Sequence, residues 1–173
     1  MRLKLAKPGP EHEKAAMEFC AEFRAEGDEH IYGSSGLSLH EDYADWLKSL
    51  GETPPGRVRQ TTFFSFDGGT LVGAASVRHT LDERLRRIAG HIGYSVRPSQ
   101  RRRGYAKEQL RLALNECARL GIARALVCCD EWNVASAATI LALGGEEEET
   151  SMDDDGAVIR RFWVDTGMEK SCI

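Results

Sequence analysis

The sequence predicts a single α/β domain over 1–173, with a mixed and mainly antiparallel sheet flanked by helices, and three patterns carry that expectation. A short alternating strand runs into a segment with helical apolar spacing. Two pairs of strand-like segments are joined by Asp/Gly turns, as in antiparallel hairpins. Two further apolar strands each run directly into a helix, the succession that brings parallel strands together.

Leu3-Lys4-Leu5 alternates as a first strand, and over 11–26 the apolar residues Ala15, Ala16, Phe19, Cys20 and Phe23 mark one buried helix face. Residues 27–36 form a polar, Gly-rich loop holding His30 and Tyr32. A second helix is expected over 43–50, ended by Gly51 and Pro54-Pro55. Thr61–Phe66 and Leu71–His79 flank Asp67-Gly68-Gly69 as a hairpin, and the charged stretch 81–89 reads as a loop or a helical turn. Gly90–Val96 is a strand, followed by a short turn and a helix from about 105. Ala123–Cys129 is the next strand, with a helix opening at Asn133 and ending at Gly144-Gly145. Glu146–Met152 and Val158–Val164 enclose Asp153-Asp154-Asp155-Gly156 as a closing hairpin whose acidic run is a solvated turn.

Composition narrows the function. A chain of 173 residues with 42% hydrophobic content suits one core, and no run approaches the roughly 18 apolar residues that cross a bilayer. The N-terminus is a poor signal peptide, and five cysteines without metal-type spacing suit a reducing compartment, so a cytoplasmic protein with no metal is expected. A net charge of -4 argues against a general nucleic-acid binder and a membrane partner is not expected, although Arg97, Arg101, Arg102, Arg103 and Lys107 cluster locally.

That cluster sits where a strand turns into a helix. The leading N–H groups of a helix lack intrahelical acceptors and carry the positive end of its dipole, so they bind phosphate. Gly104 and small Ala106 let a ligand approach the backbone. Arg101-x-x-Gly104-x-Ala106, after Val96-Arg97-Pro98, resembles the pyrophosphate signature of the GNAT N-acetyltransferases, and Asn133-x-x-Ser136 after the next strand resembles that family's pantetheine contact. The resemblance implies a GNAT-type fold with splayed central strands and acetyl-coenzyme A as cofactor. It implies main-chain cofactor contacts from Tyr94, Ser95 and Val96, pyrophosphate contacts from Arg101, Arg102, Arg103, Gly104, Tyr105, Ala106 and Lys107, and further contacts from Asn133 and Ser136. Asn133 equally suits a helix N-cap.

The implied reaction is direct attack of a primary amine on the thioester. Such an amine titrates near about 10.4, so a base or a desolvating pocket is needed. His91, at the start of the splayed strand, is the first candidate base, with Asp130 and Glu131 in reserve. The alternative for His91 is packing on the strand face that points away from the cleft. An N–H at or near Tyr94 is the candidate oxyanion donor. The family often places a tyrosine acid seven residues beyond the Asn, where this chain has Ile140; Ser136, Tyr94 or Tyr105 would substitute, or the thiolate leaves unassisted. Cys128 and Cys129 read as structural. His30, Tyr32, Tyr43, Trp46, Arg78, His79 and Trp132 are candidates for the acceptor side, with Tyr32, Arg78, His79, His91 and Asp130 as the expected acceptor-binding set.

The expected acceptor is a small-molecule amine (a metabolite, amino acid or antibiotic) and the protein a monomer or homodimer. The alternatives are a protein or peptide acetyltransferase, which needs an open groove beside 27–56, and a non-catalytic acyl-coenzyme A sensor.

Overall fold

The computed structural model describes residues 2–167; Cys172 lies outside them. Seven strands form one sheet in the order β1-β2-β3-β4-β5-β7-β6, with β1 at Lys4–Ala6, β2 at Gln60–Asp67, β3 at Thr70–Arg78, β4 at Ile92–Val96, β5 at Arg124–Asp130, β6 at Glu146–Met152 and β7 at Val158–Asp165. Five helices flank it: α1 at Glu13–Ala25, α2 at Tyr43–Ser49, α3 at Glu83–Ile88, α4 at Tyr105–Arg119 and α5 at Val134–Leu141. Every neighbouring pair is antiparallel except β4 with β5. This is the mixed, mainly antiparallel α/β sheet read from the sequence, with both hairpins formed and the 81–89 stretch resolved as α3.

Two apolar layers hold the sheet between the helices. On one face Leu110, Ala113, Leu114 and Cys117 of α4 and Ala137 and Ile140 of α5 bury against Val77, Ile92, Val127 and Phe162. On the other, Phe19, Cys20 and Phe23 of α1 and Trp46 of α2 bury against Phe64 and Ala74. Burial of such large side chains contributes about 1.5–3 kcal/mol each. Helix starts follow capping chemistry: Asp42 accepts from Ala44 N–H at 2.7 Å and Asp45 N–H at 3.1 Å, Asp82 from Leu85 N–H at 2.7 Å and Asn133 from Ser136 N–H at 3.1 Å.

Two features position the site. The parallel β4–β5 pair is joined at Ile92–Val127, with an isolated bridge from Gly90 to Val127, and no pairing continues beyond it. The strands therefore part towards Val96 and Asp130. The loop at 30–36 is pinned beside this opening: Trp46 Nε1 donates to Ser34 O at 3.1 Å, and the Ser35 and Thr62 hydroxyls lie 2.5 Å apart. Gly33, at φ +76°, lies so close to β4 that an added Cβ would sit 2.6 Å from Gly93 O, so glycine alone permits this approach.

Candidate active site

Hydrogen-bond alternation shows which main-chain groups of β4 face the opening. Arg97 N–H donates to Val72 O at 2.8 Å, and the register sets Ser95 opposite Ala74. Alternate residues of an antiparallel strand point their N–H and C=O to opposite sides. Ser95 therefore belongs to the β3 ladder, which corrects its expected main-chain role in the cleft. Tyr94 and Val96 turn theirs towards β5, which has already departed.

At the end of β4 the chain passes through a 3₁₀ turn, Pro98–Gln100, into α4. Gly104 caps α4 at φ +82° and Arg102 also has a positive φ of 61°. Arg101 N–H bonds Pro98 O and the helical ladder begins with Glu108 N–H to Gly104 O. Between them, the N–H groups of Arg102, Arg103, Gly104, Tyr105, Ala106 and Lys107 find no acceptor among the described residues. That run of donors at a helix start is an anion cradle built from backbone.

The side chains around it are arranged differently from expectation. The Arg101 guanidinium pairs with Glu26 at 2.6 Å and Asp28 at 3.6 Å and lies over the Phe23 ring. It ties the turn to α1 rather than pointing free. Arg97 does likewise with Glu22 at 2.6 Å, and this pairing, with Ser99 N–H, holds the Glu22 carboxyl below its usual range despite partial burial. The Tyr105 hydroxyl donates to Asp67 at 2.7 Å. Arg102, Arg103 and Lys107 are exposed.

Across the opening, Tyr94 Oη and Ser136 Oγ are 2.8 Å apart. Burial pushes the Tyr94 phenol up to about 12, so it holds its proton at neutral pH. Asn133 caps α5 and lines the same cavity. Cys129 also lines this cavity, and burial raises its thiol, as it raises Cys128 to about 12. Neither is an activated nucleophile. Ile140 is fully buried in the core.

The cavity, about 910 Å³, continues across the sheet beneath the loops at 30–36 and 49–60 and beside α3. Tyr32, Arg78 and Asp130 line it, as do His30, Tyr94 and Ser136. Tyr32 Oη donates to Asp130 at 3.2 Å; burial and then the Asp130 charge push the phenol up to about 12. Arg78 Nη1 donates to Gly90 O at 3.0 Å, and burial lowers its pKa.

Two expected residues lie elsewhere. His91 does not line the cavity: its Nδ1 accepts from Leu126 N–H at 2.9 Å, its own N–H donates to Leu126 O at 2.7 Å, and it is 8% exposed. Burial, then Arg86 and Arg78, lower its pKa to about 4. A ring nitrogen already engaged as an acceptor cannot also serve as the base, so His91 is a clasp between β4 and β5. His79 bonds Thr61 Oγ1 at 2.8 Å and faces a separate pocket of about 270 Å³ with Lys7 and Arg59. It is not part of the acceptor cavity. Tyr43 and Trp46 are core residues, and Trp132 is 75% exposed.

Sequence reasoning missed Thr62, Ser76, Asp82 and Asp153, all on the cavity wall. Ser76 had a signal, as a polar interruption in the apolar run of β3, whereas Thr62 sits in a strand of mixed polarity; both are buried. Among the described residues no cluster of His, Cys, Asp and Glu is arranged to hold a metal, and no helix is long and apolar enough to cross a membrane.

A family model described as an acetyltransferase (GNAT) domain matches residues 2–146. No curated protein matches the sequence. By structure the chain is similar to RimL, a ribosomal L7/L12 alpha-N-protein acetyltransferase in complex with coenzyme A, at 16% identity and a TM-score of 0.70 over 96% of each chain. It is similar to yncA of Salmonella typhimurium, a putative acetyltransferase with acetyl-CoA, at 16% identity and 0.63, covering 98% of this chain and 96% of that one. It is also similar to a spermidine N-acetyltransferase SpeG chimera from Vibrio cholerae and hSSAT, at 11% identity and 0.66, covering 96% of this chain and 97% of that one. At such identities the likeness is one of fold.

Proposed function

The chain belongs to the GNAT acetyltransferase family, and on that premise we propose that it moves an acetyl group from acetyl-coenzyme A to a primary amine of a small molecule, by direct attack in a ternary complex. The observation that carries this reading is the Tyr94–Ser136 hydrogen bond of 2.8 Å on a cavity that joins the β4–β5 opening to an acceptor chamber.

Acetyl-coenzyme A supplies an activated thioester. The six free N–H groups at 102–107, made accessible by Gly104 at φ +82°, suit its pyrophosphate, and the outward N–H and C=O of Tyr94 and N–H of Val96 suit its amide arm, the Val96 carbonyl accepting from Arg101 Nε at 3.4 Å. Tyr94 N–H also serves as the donor to negative charge developing on the acyl oxygen. Ser136 Oγ donates a hydrogen bond to the departing sulfur, which leaves as the thiolate, and the Tyr94 phenol, protonated at neutral pH, holds the serine hydroxyl in place. This pair takes the part of the tyrosine that Ile140 replaces. With His91 withdrawn, Asp130, oriented by Tyr32, receives the proton of the attacking amine directly or through water.

A small acceptor is favoured over a protein chain because the loops at 30–36 and 49–60 both contribute to the wall of one cavity. The test is thiol release from acetyl-coenzyme A across a panel of small amines and amino-terminal peptides. Release with small amines, reduced in Asp130→Asn and Ser136→Ala, is expected. Release with peptides alone would shift the acceptor class, and binding without release across the panel would favour a sensor.

A further inference from the structure

Arg78 is a cation on the cavity wall with no ion pair among the described residues. Its guanidinium has five N–H donors, of which the described residues engage Nη1, with Gly90 O at 3.0 Å. None of the ion pairs among the described residues includes it, whereas Arg84, on the same wall, is tied to Asp154 at 3.1 Å. Arg57, also on the wall, is exposed and meets its hydration from solvent. A largely buried guanidinium with idle donors is costly unless an anion completes it. Asp82 and Cys128 are the nearby groups whose negative form favours its charge; Cys128 is held as a neutral thiol, and the Asp82 carboxylate, which caps α3, is not within ion-pair distance of the guanidinium.

The register gives the distance at which such an anion would sit. Arg78 lies opposite His91, with Arg78 N–H donating to His91 O at 2.8 Å, three residues before Tyr94 on β4. Three strand residues span about 10 Å. The bond to Gly90 O keeps the guanidinium at the His91 end rather than at the opening. The main-chain positions beside the anion and beside the acyl group are thus about 10 Å apart along the strand. The amino nitrogen and carboxyl carbon of an α-amino acid are only about 2.5 Å apart, too close to reach both.

Resting on the acetyl transfer proposed above, we propose that Arg78 anchors a carboxylate of the acceptor, and that the acceptor is a small amine whose carboxylate lies about 10 Å from its nucleophilic nitrogen, as in a long ω-amino acid or the two ends of a tripeptide. A polyamine would set a second cation against Arg78 and is disfavoured.

The experiment measures kcat/KM for thiol release with glycine, γ-aminobutyrate, ε-aminocaproate, ω-aminocaprylate, triglycine, hexylamine and spermidine. Rates are expected to rise with chain length among the acids and to exceed those of glycine and hexylamine by about tenfold or more. Whether the tripeptide or the ω-amino acid leads identifies which source of carboxylate the site prefers. In Arg78→Gln the ratio of ε-aminocaproate to hexylamine should fall about 10- to 100-fold, and Arg78→Lys should recover part of it, with circular dichroism checking the fold. A second readout is calorimetric titration of N-acetyl-ε-aminocaproate into wild type and Arg78→Gln, where the variant should bind at least about tenfold more weakly. Glycine or hexylamine as the best acceptor, or a ratio and an affinity unchanged in Arg78→Gln, would overturn the assignment. If no amine releases thiol, the transfer reading fails while the titration still decides whether Arg78 holds a carboxylate.

Discussion

The two halves of the cleft are built in contrasting ways. On the side proposed for the cofactor, the groups come from two short stretches, 94–107 and 129–136, and many are main chain: a left-handed Gly104, six unpaired N–H groups, and strand edges left open by the parting of β4 and β5. The acceptor side is assembled from β2, β3, α3, two loops and the β6–β7 turn, with Tyr32 meeting Asp130 across 98 residues of sequence. Backbone geometry tolerates wide change in the surrounding side chains, whereas a side-chain assembly is open to retuning at each contributing segment. Within one family, therefore, the cofactor half holds the chemistry and the acceptor half holds the identity of the reaction.

The sharpest way to break this contrast is at Gly104. Gly104→Asp keeps a residue type that can adopt positive φ but sets a carboxylate among the anion-binding N–H groups, and acetyl-coenzyme A affinity should fall by at least about 100-fold. If affinity survives, the cradle is not where phosphate binds. Ser136→Ala should come next: kcat reduced about 10- to 100-fold in steady-state assays, with a smaller loss for Tyr94→Phe, which keeps the ring but not the hydrogen bond at 2.8 Å. Equal losses would make Tyr94 more than an orienting group.

His91 tests stability rather than rate. Its folded pKa of about 4 lies below the unfolded value of about 6.5, so the unfolded chain takes up a proton first as pH falls. Stability is fully present above the unfolded value and is lost between about pH 6.5 and 4, by up to about 3 kcal/mol. Urea unfolding across that range should show the loss in wild type and a flatter profile in His91→Gln. The smallest effect is expected at the α3–hairpin contact, where exposed Asp154 pairs with Arg84 at 3.1 Å and Arg87 at 2.5 Å beside the cavity. Asp154→Ala should change KM for the acceptor by less than about fivefold, and the difference should shrink in high salt.

The same division explains what could be read in advance. Hairpins, helix starts and the turn at Gly104 are written in contiguous residues, so periodicity and capping chemistry revealed them. Asn133 at a helix N-cap is likewise local. For His91 the sequence leaves base and strand packing as alternatives, and Ser95 is expected in the cleft, because which face of β4 a residue presents, and where that strand leaves its neighbour, depend on pairing with β3 and β5. His79 adjoins Arg78 in sequence yet faces a different pocket, as strand alternation requires. Arg101 is expected at the pyrophosphate, and its pairing with Glu26 and Asp28 is not legible in sequence because those partners are more than seventy residues away. The acceptor wall at Asp82 and Asp153 had no local signal at all, since only the packing of α3 and the β6–β7 turn brings those residues to the cleft.

Calorimetric titration of acetyl-coenzyme A into the wild-type protein and Gly104→Asp, side by side, tests the central claim most directly. The account predicts saturable binding by wild type and none detectable in the folded variant. Absence of binding by wild type, or equal affinity in both, would contradict it.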